Sequence, residues 1–307
     1  MIRLMYDFFE HGRRRHLAEK TLKDYEVFLR AFFGFLKEAY PEITEITDVT
    51  RAIITAYEKH LLTRKDSRGK VMGRIRRKRY LCGLRLFFLY LQREEKVFKN
   101  PTANLALPRE RKTIIKDVLT PEEMEKLLKT CAGETLKALR DRAMLELLYS
   151  TGMRADELCH LEAKDLDYDE LVVLIRKGKC GTERVVPFGK TARYWIERYL
   201  KQGRPLINTG ASDLVFTTMG GRQLTPVTLG RIVKEYAHKA GIEKNVTTHT
   251  FRHSCATHLL KGKADIRYVQ KQLGHRSIAT TEKYLKIEIT DLKEVHERCH
   301  PREQEEW

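Results

Sequence analysis

One segment constrains everything on either side of it. Residues 101–118, PTANLALPRERKTIIKDV, hold two prolines and show no helical period, and Thr120-Pro121-Glu122-Glu123 follows almost at once. That tetrad is a capping box with proline in the first helical position, a strong signal for a helix start. A linker running into a fresh helix predicts two domains, and 307 residues suffice for both. The expected division is residues 1–110, a linker at 111–116, and residues 117–307.

The first part reads as helical. Leu22, Tyr25, Leu29, Phe32 and Leu36 recur at helical spacing across residues 21–40. A second helix is expected after Asp48, which makes a good N-cap. A third runs through VMGRIRRKRYLCGLRLFFLYLQREE, with Leu81, Leu84, Phe87 and Leu91 on its inner side. Asn100-Pro101 should end the helical region, since the residue before proline is pushed out of helical geometry. The second part is mixed. Helices are expected near 121–130, 136–150, 190–201, 226–240, 250–261 and 265–273. A strand pair, LVVLIR and ERVVPF, flanks the turn KGKCGT, and LVFTT has β character. So little sheet excludes a doubly wound fold and makes the chain mostly α, of the α+β class.

Charge narrows the function. The sequence has 59 Lys and Arg against 42 Asp and Glu, a net +17. Such an excess suits a polyanion, because each phosphate neutralised releases condensed counterions. The third helix opens with Arg74, Arg76, Arg77, Lys78 and Arg79. Such a run is commonly a solvated face, but in so basic a chain it reads as a phosphate-contacting face. The N-terminus lacks a signal peptide's apolar core, and no stretch approaches a membrane span. Six cysteines are scattered without a C-x-x-C pair, which argues against a zinc module or disulfide framework and suits a reducing cytoplasm. No metal or other cofactor is expected.

Four short motifs could carry chemistry. In LLYSTGMRADELCHL an apolar helix stops at Gly152, and Glu157 stands three residues after Arg154, either as a local ion pair or to aim the guanidinium at a phosphate. Lys177 and Lys179 lie in the hairpin turn. His249 and Arg252 share a face at a helix start in TTHTFRHSCATHLL; alone, such an H-x-x-R pair is expected about once by chance. In QLGHRSIATTEKYL, His275 follows Gly274 and Tyr284 stands nine residues on, where an amphipathic core tyrosine would be unremarkable.

Taken in order, T-G-M-R-x-x-E, a hairpin lysine, H-T-F-R-H-S-x-A-T-H, L-G-H and a tyrosine resemble the catalytic domain of the tyrosine recombinase (phage integrase) family. The resemblance is to its Xer-like branch. It covers residues 117–302, including the tail VHERCHPRE; the helical first part resembles the family's core-binding, SAM-like domain in layout only. The resemblance implies a catalytic set of Arg154, Lys177, His249, Arg252 and His275 around the nucleophile Tyr284, with Glu157 supporting. The hairpin turn R-K-G-K-C-G-T-E-R is longer than the pattern, so Lys179 stays open beside Lys177 as the general acid. Also implied are double-stranded DNA sites as partner, four protomers around two sites, a tail that docks on a neighbouring subunit, and room for a second recombinase or accessory protein. A type IB topoisomerase shares the nucleophile and basic residues; a DNA-binding protein that has lost catalysis is the rival from another class.

Overall fold

A computed structural model describes residues 1–65, 69–108, 118–131, 133–176, 183–207 and 212–274. The chain forms two compact units, Met1–Thr113 and Ile114–Trp307.

The first unit holds α1 (Ile2–Arg14), α2 (Glu19–Ala39), α3 (Arg51–Thr63) and α4 (Arg74–Arg93). Aromatic rings are threaded through its core. Phe32 meets Tyr57 edge-on at 5.0 Å and Phe88 at 6.2 Å, and Phe8 of α1 meets Phe87 of α4 at 5.6 Å. Such rings bury large apolar areas with a geometric preference that fixes how the helices cross. Three local expectations are corrected. Thr50, not Asp48, caps α3 by accepting from the Ile53 amide, because Asp48 is taken up in a short 3-10 turn, Ile46–Asp48. Helix α4 stops at Arg93, well before Asn100-Pro101: Glu94 caps it and Glu95 takes a positive φ of 55°. Helix α1 was not expected, although Met5, Phe8, Phe9 and Gly12 form its buried stripe. Beyond α4, Leu105 and Leu107 pack onto this core rather than floating as linker.

The second unit is built on α6 (Leu136–Thr151), which is buried around most of its circumference. Its buried positions are not confined to one stripe, as they would be on a surface helix, so it sits inside the fold. Around it stand α5 (Pro121–Lys129), α8 (Lys190–Arg198), α9 (Arg204–Ile207), α10 (Pro226–Lys239), α11 (Thr248–Lys261) and α12 (Ile266–Leu273). The predicted capping box forms: the Glu123 amide donates to Thr120 Oγ1 and the Thr120 amide to Glu123 Oε2. The polar groups that α6 buries are paired, Arg140 with Asp141 at 2.6 Å and Arg142 with Glu146 at 2.7 Å. The expected strand pair has a third member. Strands β1 (Leu166–Asp167), β2 (Val172–Ile175) and β3 (Arg184–Pro187) run antiparallel in that order, with Val173 opposite Val186. The hairpin turn, residues 177–182, falls outside the described residues. LVFTT contributes only isolated bridges, Glu162 to Leu214 and Thr217 to Gln223.

Helix α6 ends where the site begins. Gly152 takes φ +62°, a left-handed cap that glycine adopts without strain. A Cβ there would come within 2.8 Å of Leu273 Cδ2 and 3.2 Å of Cys255 Sγ. Gly152→Ala is therefore expected to cost about 2 kcal/mol, from backbone strain and overpacking together, read as a lowered midpoint in thermal unfolding.

Candidate active site

The turn after Gly152 presents Arg154, which caps the short helix α7 (Ala155–Cys159). The Arg154 amide donates to Glu157 Oε2 at 2.7 Å, and its Nη1 donates to Oε1 at 2.8 Å. Its guanidinium keeps 25% of its exposure while the Glu157 side chain keeps 2%. The sequence-level ion pair therefore exists, and its geometry leaves one cation at the surface, braced from beneath.

Arg252 arrives from α11. It is 4% exposed, and its guanidinium donates to the Gly152 carbonyl at 2.8 Å and to the Leu273 carbonyl. The other arginine reaches the next carbonyl along, Arg154 Nη2 to Gly274 at 3.4 Å. Two guanidinium groups from separate elements thus converge on the end of α12, at the two residues before His275. Gly274 itself packs tightly against a third arginine. It takes φ +63°, and a Cβ on it would stand 3.0 Å from Arg184 Cδ.

His249 lies one turn before Arg252 on α11. Although the residue is exposed, partial desolvation lowers its pKa first, and the charges of Arg252 and Arg154 lower it further. Its neutral form, able to accept a proton, is thereby favoured. His253, one turn further on, is pushed down to about 4 by burial, with His249 and Arg252 adding to the effect. On the far side of α11, His258 Nδ1 lies 2.7 Å from the Tyr149 hydroxyl and its Nε2 lies 2.9 Å from the Leu119 carbonyl. A neutral ring protonated on Nε2 satisfies both contacts.

Glu157 is the buried acid of the site. Burial alone would raise its pKa, but hydrogen bonds from Arg184 and Arg154 outweigh that and hold it at about 2. Arg184 went unnoticed in the sequence: it opens β3, and only the hairpin carries it to Glu157, 27 residues earlier. Gln272 was missed too; its Nε2 donates to the Ser150 and Thr151 carbonyls, tying α12 to the end of α6.

These shifts predict a two-stage acid response. His249, His253 and His258 all have folded pKa values below the ordinary 6.5. An unfolded chain then takes up their protons first, so their contribution is intact above pH 6.5 and fades as pH falls toward 4. Glu157, held near 2 against an ordinary 4.5, loses its contribution only below pH 4.5. Thermal midpoints measured from pH 7.5 to 3 should fall in both windows; a flat profile between 6.5 and 4.5 would rule out these histidines as a source of acid sensitivity.

Of the expected site, the structure brings together Arg154, Glu157, Arg252 and His249. Lys177, Lys179, His275 and Tyr284 lie outside the described residues, as does the tail. The basic run belongs to the first unit. Arg74, Arg76 and Arg79 are exposed there at the start of α4, Arg77 and Lys78 are half-buried, and the Arg76 guanidinium sits 5.9 Å from the centre of the Tyr80 ring.

Two guanidinium groups therefore meet at one end of α12, on a mainly helical unit with a small antiparallel sheet. Residues 117–290 match the family described as the phage integrase family. The chain is 36% identical to tyrosine recombinase XerC 2 of Ralstonia nicotianae over 98% of its own length and 86% of that protein's. It is 37% identical to tyrosine recombinase XerD of Listeria monocytogenes serotype 4b, covering 94% of this chain and 95% of the other. Among solved structures, XerH recombinase bound to its difH substrate in a pre-cleavage complex aligns with a TM-score of 0.68 at 25% identity, over 89% of this chain and 78% of that one. The chain belongs to the phage integrase family and is a tyrosine recombinase of the Xer-like branch, a site-specific enzyme that cleaves and rejoins DNA.

Proposed function

We propose that Tyr284 is the nucleophile and that Arg154, Arg252, His249, His275 and Lys177 complete the catalytic set. The Tyr284 oxygen attacks the scissile phosphorus, the P–O5′ bond breaks, and a 3′-phosphotyrosine and a free 5′-hydroxyl result. Arg154 and Arg252 neutralise the non-bridging oxygens, where charge builds in the transition state. A phenol of pKa about 10 needs a proton acceptor, and His249, whose neutral form is favoured, is the proposed acceptor. His275 donates a hydrogen bond to a phosphate oxygen. Lys177, with Lys179 as the alternative, protonates the departing 5′-oxygen. The phosphotyrosine keeps the energy of the original diester, so attack by a 5′-hydroxyl rejoins the strand without ATP. When that hydroxyl comes from a partner duplex, strands are exchanged through a Holliday junction, with four protomers around two sites. The observation that carries this reading is the convergence of Arg154 and Arg252 on the Leu273 and Gly274 carbonyls, where the chain passes into His275.

Arg74, Arg76, Arg77, Lys78 and Arg79 are proposed to bind DNA phosphates. Removing one phosphate contact, as in Arg74→Ala, should lower the slope of log affinity against log salt by about 1 and weaken binding alike on all sequences. A cytoplasmic location suits this activity, and no helix among the described residues is long and apolar enough to cross a membrane.

The test is a supercoiled plasmid carrying two copies of the DNA that flanks the protein's own gene. Two product circles establish recombination. Relaxed plasmid without exchange identifies a type IB topoisomerase instead, and binding with neither product a protein without catalysis.

A further inference from the structure

Arg184 makes contacts that the proposed chemistry does not use. Its side chain is 12% exposed at the start of β3. Nη1 donates to Glu157 Oε1 at 2.9 Å, Nη2 to Oε2 at 2.8 Å, and Nε to the Gln272 carbonyl at 3.1 Å. Since Arg154 donates to the same two oxygens, each oxygen of Glu157 accepts two N–H groups. The carboxylate is saturated, and it is shared between two cations.

The charge count gives this sharing a purpose. Glu157 with Arg154 alone sums to zero, so the carboxylate that orients the arginine would also cancel the charge a phosphate needs. Adding Arg184 returns the group to +1. Glu157 itself is 2% exposed, so solvent screens its charge little on the Arg154 side, and that difference counts. We propose that Arg184 is a positioning residue, which neutralises Glu157 so that Arg154 keeps its charge for the scissile phosphate, and which pins β3 to the end of α12 just before His275. This rests on the phosphate-binding role given to Arg154 above. The strand that bears Arg184 also continues from the turn bearing Lys177 and Lys179, so one guanidinium ties the hairpin, Arg154 and the approach to His275 together.

The experiment compares single-turnover cleavage of nicked duplexes tiled across the DNA flanking the gene. The proteins are wild type, Arg184→Gln, Arg184→Lys, and Arg184→Gln combined with Glu157→Gln, with gel-shift affinity and thermal midpoint measured for each. Arg184→Gln should slow cleavage about 100-fold while affinity for DNA changes little. Arg184→Lys keeps the charge without the fork and should stay within about tenfold of wild type. Adding Glu157→Gln to Arg184→Gln restores the net +1 and should recover at least about tenfold of the lost rate, a rescue that a purely structural fork does not give. Wild-type rate in Arg184→Gln, no gain in the double variant, or an equally deep loss in the lysine variant overturns the proposal. Should Arg184→Gln fail to fold, the lysine variant alone decides it. A wild-type protein that cleaves no duplex overturns the recombinase-site reading first, and this proposal with it.

Discussion

The Tyr284→Phe variant is expected to bind its DNA site with wild-type affinity and to cleave none of it. Only a hydroxyl is lost, so neither the basic face of α4 nor the arginines of the second unit change. On the proposed reading the attacking oxygen goes with it, and phosphoryl transfer has no step without that oxygen held in line. Loss of the covalent intermediate should reach at least about 10⁴-fold, the limit of a gel assay, whereas removing a stabilising donor costs about 10²–10³. Cleavage within tenfold of wild type would remove Tyr284 from the mechanism.

Arg252→Ala is expected to show the second-largest effect, and in two measurements at once. The side chain is 4% exposed and supplies donors to the carbonyls of Gly152 and Leu273. Alanine leaves those carbonyls without these donors, which should cost about 3 kcal/mol in urea unfolding. It also removes one of two cations assigned to the phosphate, so cleavage should slow about 10³-fold beyond any effect of instability. Arg252→Lys separates the two. A lysine retains the charge but cannot span both carbonyls and a phosphate with one planar fork, so it should recover part of the stability and little of the rate. A lysine variant with full activity would show that charge alone, rather than the fork, is what the site needs.

Sequence reasoning reached the parts of this site that are local. Gly152 as a helix stop, Arg154 paired with Glu157, and His249 one turn from Arg252 all follow from spacing within one turn of helix, and all are seen. What escaped depends on tertiary placement. Arg184 meets Glu157 only because the β2–β3 hairpin folds back over α7, and nothing in E-R-V-V-P-F distinguishes that arginine from a solvated edge residue. Gln272 likewise gains meaning only once α12 docks against the end of α6. The misplaced cap of α3 has a different origin. Asp48 and Thr50 are both good N-cap residues, and the 3-10 turn that consumes Asp48 decides between them. In the case of α1 the signal was present, since Met5, Phe8, Phe9 and Gly12 keep helical spacing. The ordered motif set, rather than any single residue, is what carried the fold and the family.

The central claim is a covalent bond between Tyr284 and a 3′-phosphate. The most direct measurement traps that bond on a nicked duplex, where a short 5′-hydroxyl fragment diffuses away and rejoining is prevented. The adduct is then digested and its DNA-bearing peptide sequenced by mass spectrometry. The expected result is a single modified peptide containing Tyr284, joined to the strand that ends in a 3′-phosphate. An adduct on another residue, or one formed through a 5′-phosphate, would contradict it.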